Sequence, residues 1–159
     1  MRARETNAAG DGSPARDLGA ILEFMSGLWA LDHALQSASK RMEARLGITG
    51  PQRLVVRIVG QRPGISPGQV SAILHLHPST LSGILGRLER AKLIGRRADP
   101  ADARCAQLHL TARGREVDAT RAGTVESAVL RALRRLPPRA VRTARAVAEA
   151  LAAELERNR

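Results

Sequence analysis

The sequence predicts a mainly α-helical chain that carries one small β-hairpin. Three observations lead there. Apolar residues recur at spacings of three and four over most of the chain, which is the signature of amphipathic helices. One short stretch, from Leu93 to Leu110, instead alternates on either side of an Asp-Pro turn, as paired strands do. Gly and Pro punctuate the pattern at Gly47, Gly50-Pro51, Pro63-Gly64 and Pro137-Pro138, marking where elements end.

Composition bounds what such a chain does. Its 159 residues, 43% of them apolar, suffice for one domain with a proper core. No apolar run approaches the roughly eighteen residues of a membrane span, so a soluble protein is expected. The first residues lack the apolar segment of a signal peptide, which points to the cytoplasm. The single cysteine, Cys105, excludes an intrachain disulfide. Lys and Arg number 26 against 15 Asp and Glu, and the net charge of +11 favours a polyanionic partner such as nucleic acid. Only Lys40 and Lys92 are lysines, a bias that a GC-rich genome also produces, so the net sign carries more weight than the choice of Arg. With one Trp, one Phe and no Tyr, the chain lacks the stacking platforms of a single-strand binder.

Residues 1–16 mix Gly, Asn, Asp, Ser and Pro without periodicity and read as a disordered tail. From Asp17 the apolar residues Leu18, Ile21, Met25, Leu28, Leu35, Met42 and Leu46 form a helical stripe, widened by Leu22, Trp29 and Leu31 and ended by Gly47. A helix of about thirty residues exceeds what one small core covers, so part of this face is expected to meet another chain. A short second helix, Gln52 to Val59, places Leu54, Val55, Ile58 and Val59 on one face. Ser66-Pro67-Gly68-Gln69 then has the form of a helix start, with Ser66 as cap, Pro67 at the first position and Gln69 completing a capping box. Val70, Ile73 and Leu74 make the buried side of this third helix.

Pro78 opens a fourth helix whose apolar positions Leu81, Ile84, Leu85 and Leu88 keep the i, i+3, i+4, i+7 pattern. Turning 100° per residue away from that stripe leaves Ser79, Gly83, Gly86 and Arg90 facing outward, flanked by Thr80, Ser82 and Arg87. A face so small, polar and basic suits a major groove, where hydroxyls reach base edges or phosphates and Arg clasps guanine. It is equally the composition of an ordinary solvated face. The next segment separates the two readings. Leu93 to Ala98 reads as a strand, Asp99 to Arg104 as a turn, and Cys105 to Leu110 as the returning strand, with Leu108 and Leu110 inward. Between Arg87 and Arg115, eight bases face three acids, a local charge of +5. An Arg at the tip of such a hairpin can enter a narrow minor groove, with Asp102 holding the Arg104 guanidinium in place. Standing alone, the same pair would be a surface salt bridge worth under about 1 kcal/mol.

These residues resemble a known family. The run Leu76-His77-Pro78-Ser79-Thr80-Leu81, then Arg87-Leu88-Glu89, Leu93-Ile94, Arg96-Arg97, Asp99-Pro100, Asp102-Ala103-Arg104 and Leu110-Thr111 through Gly114 is similar to the MarR family of bacterial transcriptional regulators. The likeness is close from Thr49 to Gly114 and extends to the flanking helices by layout. It implies a winged helix-turn-helix in each lobe of an obligate homodimer, bound to a pseudo-palindromic operator. By the same resemblance the recognition helix is Pro78 to Ala91 and the minor-groove arginine is Arg104. Gly83 stands where many relatives carry Arg, which shifts the burden onto Arg87, the hydroxyl residues and DNA shape. His77 stands where a Ser often caps the helix.

From Thr111, a fair N-cap, a long fifth helix is expected to run to about Leu136 and stop at Pro137-Pro138. A sixth runs to Asn158, with Val141, Ala144, Val147, Leu151 and Leu155 on one face, expected to pack with the first helix across the dimer axis. Arg131, Arg134, Arg135, Arg139, Arg142 and Arg145 form a basic cluster, read as a solvated or interface surface that could also extend the DNA footprint. The expected organisation is therefore a tail over 1–16, a dimerisation helix over 17–47, the winged helix-turn-helix over 48–111, and completing dimerisation helices over 112–159.

The expected DNA contacts are Ser66, Pro78, Ser79, Thr80, Ser82, Gly83, Arg87, Arg90, Arg96, Arg97, Asp102 and Arg104. A small, often aromatic anion bound near the dimerisation helices is a family expectation. Met25, Trp29 and His33, with Phe24 beside them, are the candidate lining, although Met and Trp on helices are usually core. His75 and His77 sit one residue apart at a turn and His109 stands far off, so no metal centre is expected. No cofactor is expected either. Cys105 should face away from the core beside Arg104, whose charge favours a thiolate, and is the candidate for redox control. No carboxylate pair, nucleophile-base set or phosphate loop appears at workable spacing, so the chain is not expected to be an enzyme. The reading is a nucleoid-associated, double-stranded-DNA-binding regulator acting as a homodimer. The alternative is a winged-helix interaction or architectural module without operator specificity. Arg104→Ala is expected to weaken operator binding strongly while the dimer stays folded. Equal affinity of parent and variant in an anisotropy titration would remove Arg104 from the DNA contact.

Overall fold

The computed structural model describes residues 14–98 and 106–157, so the expected wing tip with Asp102, Arg104 and Cys105 lies outside the described residues. Among the described residues, seven helices and two strands follow one another: α1 Pro14–Leu46, α2 Gly50–Gln61, α3 Pro67–Leu74, α4 Pro78–Arg90, β1 Ile94–Ala98, β2 Ala106–Leu110, α5 Ala112–Ala119, α6 Val125–Leu133 and α7 Pro138–Arg157. The chain divides into two units, Met1–Ser37 and Ala38–Arg159, with the division inside α1. Among the described residues no helix is long and apolar enough to cross a membrane.

Helix α1 starts at Pro14, three residues before the expected boundary, because proline fits a first turn whose N–H groups have no intrahelical partner. In its first unit it leaves Ile21, Leu22, Leu28, Trp29 and Leu31 exposed. It ends as expected, with Gly47 at φ +70 donating its N–H to the Glu43 carbonyl at 2.8 Å. Helix α2 begins on a capping box: Thr49 Oγ1 accepts from the Gln52 N–H at 3.4 Å, and Gln52 Oε1 accepts from the Thr49 N–H at 3.1 Å.

The buried face of α2 corrects the sequence reading. Val55, Val56 and Val59 are fully buried, whereas Leu54 is 48% exposed. The true stripe includes Gln52 and Arg53, two polar residues that hydrophobic counting rejects. Helix α3 departs in the same way: Val70 is buried, but Ile73 points outward at 40% exposure. An eight-residue helix offers two stripes through Val70, and the one through Leu74 is used. In α4 the predicted face holds, with Leu81, Leu85 and Leu88 buried and Ile84 packed on their flank.

Strands β1 and β2 pair antiparallel in the register Ile94↔Leu110, Arg96↔Leu108 and Ala98↔Ala106. Leu108 and Leu110 turn into the core, as their alternation requires. The outer edge of β2 is taken by the α2–α3 loop: the Gly64 N–H donates to the Leu108 carbonyl at 2.9 Å, and the Leu108 N–H to the Ile65 carbonyl at 3.0 Å. Helix α5 is joined to the hairpin by Thr111. Its hydroxyl donates to the Lys92 carbonyl at 2.6 Å and accepts from the Gly114 N–H at 3.0 Å. Gly114 is buried, and a Cβ there would overlap the Leu93 carbonyl oxygen, so the Leu-Thr-x-x-Gly pattern records a close helix-strand approach.

The long fifth helix is not continuous. Helix α5 stops at Ala119, Gly123 takes φ +64, and α6 restarts on the N-cap Thr124, whose Oγ1 accepts from the Ser127 N–H at 3.3 Å. Carbonyls at the break accept from Arg53, 1% exposed. Its Nη1 donates to the Val117 carbonyl, and its Nη2 to those of Asp118 at 3.3 Å and Thr120 at 2.7 Å. Nε donates to Glu126 Oε1 at 2.8 Å, and Nη2 lies 2.6 Å from the same oxygen. One turn on, Arg57 Nη1 meets Asp118 Oδ1 at 2.6 Å.

Burial opposes ionisation of Glu126, but the hydrogen bond from Arg53, the backbone N–H and the Arg53 charge outweigh it and hold the carboxyl below its ordinary value. A carboxyl depressed on folding stabilises above its unfolded value, and that contribution fades as pH falls through the folded one. Two outcomes are expected. Glu126→Gln removes part of the stability loss below about pH 4.5, read as a flatter acid limb in denaturation against pH. Gly114→Ala destabilises by ~3 kcal/mol in urea, because the added methyl has only backbone to displace.

Candidate nucleic-acid interface

Helix α4 is held from behind by the core and presents its other side to solvent. Pro78, Ser79, Thr80, Ser82, Gly83, Arg87 and Arg90 are exposed and Gly86 half-exposed, so the outward face predicted from the 100° rotation is the face that is free. The helix start is capped by an unusual group. His77 Nδ1 accepts from the Ser79 N–H at 3.3 Å and lies 2.7 Å from Ser79 Oγ, so the imidazole does what a Ser side chain does at many helix starts. In the tautomer this requires, the ring proton sits on Nε2.

The basic side chains differ in freedom. Arg90 folds back, with Nε donating to the Gly86 carbonyl at 3.2 Å. Arg96, at the base of the wing, is ion-paired through Nε to Glu89 of α4, a contact that ties the hairpin to the helix and aims the remaining guanidinium nitrogens. Arg87 and Arg97 are exposed, and among the described residues neither forms an ion pair. Ser66 is half-buried, and its hydroxyl is engaged in the capping box of α3, accepting from the Gln69 N–H at 3.2 Å while Gln69 Oε1 accepts from the Ser66 N–H at 2.9 Å.

Arg96 also closes a cleft of about 190 Å³ between α3 and α4, lined by Pro67, Gly68, Ser71, Pro78, Leu81, Ser82 and Leu85. That is below the size of ordinary small-molecule sites, and the cleft opens on the outward face of α4. Met25, Trp29 and His33 are not part of it. They follow one another four residues apart along one face of α1, Met25 half-buried, Trp29 63% exposed and His33 exposed. The structure therefore gathers Ser79, Thr80, Ser82, Gly83, Arg87, Arg90 and Arg96 with Pro78 on one surface, with Arg97 farther along the wing. The six arginines of the C-terminal cluster, from Arg131 to Arg145, are all exposed on α6, α7 and the turn between them, and Arg145 pairs with Glu149 at 2.8 Å.

Two features of the site, and one of the lobe behind it, escaped the sequence reading. The Glu89–Arg96 pair joins residues of different elements, so no spacing rule points to it. The cleft arises from the crossing of α3 and α4. Arg53 sits where apolar periodicity demands a hydrophobe, and that conflict is the one signal in the sequence that could have exposed it.

Residues 46–104 match the model of the MarR family. The HTH-type transcriptional repressor Rv2887 of Mycobacterium tuberculosis is 32% identical over 91 residues, 57% of this chain. The match spans 66% of that repressor's length, just under two thirds. Among solved structures, the MarR family transcription regulator SP03579 superposes with a TM-score of 0.66 at 25% identity, covering 91% of this chain and 98% of that one. Rv2887 complexed with p-aminosalicylic acid gives 0.52 at 26% identity over 79% of this chain and 95% of the other. The Staphylococcus aureus MepR–DNA complex gives 0.68 at 19% identity, over 82% and 97%, a likeness of fold. The winged helix-turn-helix layout, the sequence match and these superpositions agree, and over residues 46–104 the chain is similar to the MarR family.

Proposed function

We propose that this chain is a transcriptional regulator, in the simplest case a repressor, that binds a pseudo-palindromic operator as a homodimer. The observation that carries the reading is the free face of α4, small, hydroxylated and basic, with Arg96 and Arg97 of the wing beside it. Such a helix reaches major-groove base edges, while wing arginines lie against phosphates or the adjacent minor groove. Asp102 and Arg104 at the wing tip complete the contact in this reading.

Dimerisation is supported by apolar surface that nothing in a single copy covers within its own unit. On α1 these are Ile21, Leu22, Phe24, Leu28, Trp29, Leu31 and Leu35. On α6, α7 and the turn between them they are Val129, Leu130, Leu133, Leu136, Val147 and Leu155. Amphipathic helices with that much exposed apolar side chain associate, and a two-fold dimer places one recognition helix in each of two successive major grooves. The reading also places the protein on the nucleoid in the cytoplasm. Because the relative Rv2887 has been solved with p-aminosalicylic acid, a small aromatic carboxylate is the effector class to test first, with Met25, Trp29 and His33 as its candidate contacts.

A second reading has one observation in its favour. Gly83 and Gly86 give the recognition face few base-reaching side chains, as in an architectural protein that binds duplex DNA without operator preference. Selection of bound sites from a random duplex library separates the two. The regulator reading expects one palindrome bound at least about a thousandfold more tightly than random DNA at fixed salt. Within that palindrome, Arg87→Ala is expected to relax preference at one base pair per half-site, by about 1 to 3 kcal/mol. A library that returns no symmetric site overturns the regulator reading in favour of the architectural one.

A further inference from the structure

The joint between α5 and α6 determines where the C-terminal helices leave the DNA-reading lobe. Up to Ala119 the chain is fixed to that lobe: Thr111 and Gly114 lock α5 against the hairpin, and Asp118 is held by Arg57. Beyond Thr124 the situation reverses. Among the described residues none of α6 or α7 is fully buried. Within the second unit, the hydrogen bonds that tie their start to the lobe are those at the five-residue connector and the first turn of α6.

Four arginines bind the connector or the end of α5 that leads into it. Arg45 of α1 donates to the Ala122 carbonyl, and Arg121 to those of Asp118 and Thr120. Arg57 holds Asp118, and Arg53 takes the carbonyls of Val117, Asp118 and Thr120. Arg53 alone does more than hold the connector, because its Nε and Nη2 also reach Glu126 in the first turn of α6. One planar guanidinium thus contacts the end of α5, the connector and the start of α6 from a buried position on α2. Its geometry does not allow α6 to rotate without breaking a contact.

We infer that Arg53 is a positioning residue for DNA recognition: through the connector and Glu126 it sets the angle of α6 and α7 to the lobe, and so the separation of the two recognition helices in the dimer. The inference rests on the regulator reading above. A folded protein without this clasp keeps its reading surface, since none of the polar partners of Arg53 lies on α4, but loses the fixed distance between two such surfaces.

The test uses the full-length chain with Arg53→Met and Glu126→Leu together. Apolar replacements of similar volume for both partners of a buried pair commonly preserve folding, whereas removing one strands a charge. Spin labels at Ala72→Cys in a Cys105→Ser background report the distance between the two α3 helices by pulsed dipolar spectroscopy. A narrow distribution in the parent and a broad one in the double variant are expected. A merely structural role would lower the unfolding midpoint without broadening the distance in the folded population. In parallel, the selected palindrome is compared with one whose half-sites are moved apart by two base pairs. The parent is expected to lose about tenfold or more in affinity and the double variant less than about threefold, an effect in the range of ordinary coupling energies. A double variant with the parent's distance distribution and the parent's spacing penalty overturns the inference. A parent with a narrow distribution but no palindrome overturns the regulator reading, while the distance comparison still decides the role of Arg53. A parent that is monomeric overturns both.

Discussion

A guanidinium buried inside a small helical lobe is the constraint around which this structure is arranged. An arginine at 1% exposure is tolerable when its N–H groups are paired and its charge is opposed. Arg53 meets both conditions by drawing the end of α5, the connector and the first turn of α6 onto α2. The break in what would otherwise be one long helix and the burial of Arg53 therefore explain each other. A continuous helix would keep its carbonyls for itself, and the guanidinium would be stranded. A break without the guanidinium would leave three carbonyls without these partners.

The outward face of α4 depends on a second set of contacts that lie behind it. The α2–α3 loop continues the hairpin by pairing Gly64 and Ile65 with Leu108, and Thr111 ties the strand ends to α5. Leu81, Leu85 and Leu88 then seat α4 on this platform with its polar face outward. Rigid support matters more here than in a helix rich in base-contacting side chains. With Gly83 and Gly86 at its centre, α4 presents backbone and hydroxyls at close range and few long arms. In the proposed regulator, selectivity would then rest on approach, on Arg87, and on the shape of the duplex between the two half-sites.

Most of the lobe was legible in the sequence because its signals are local. The Ser66–Gln69 capping box, the stripe of α4, the alternation of Leu108 and Leu110, and the glycine ending α1 each follow from a few neighbouring residues, and all four stand as read. Where the reading failed, a long-range polar contact had displaced the local preference. On α2 the buried stripe runs through Gln52 and Arg53, so the apolar count selected Leu54 in place of Val56. At Thr120 to Thr124, propensity continued the helix to Leu136, and the clasp by Arg53 and Arg57 ended it at Ala119. Ile73 failed for a smaller reason, since an eight-residue helix with one buried anchor does not distinguish two adjacent stripes.

By itself the sequence determined the fold class, the helix that faces outward from the lobe and the family pattern of Leu-Thr-x-x-Gly and the wing. Each of these is written in periodicity, caps and turn residues within about one helical turn or one hairpin of each other. Only the tertiary structure decided what Gly114 and Arg53 are for. Gly114 is required by a strand carbonyl that approaches from Leu93, and Arg53 by carbonyls more than sixty residues away in the chain. Such partners exist only once the chain has closed on itself, because a buried polar group is satisfied by whatever the fold brings to it and not by its neighbours in sequence.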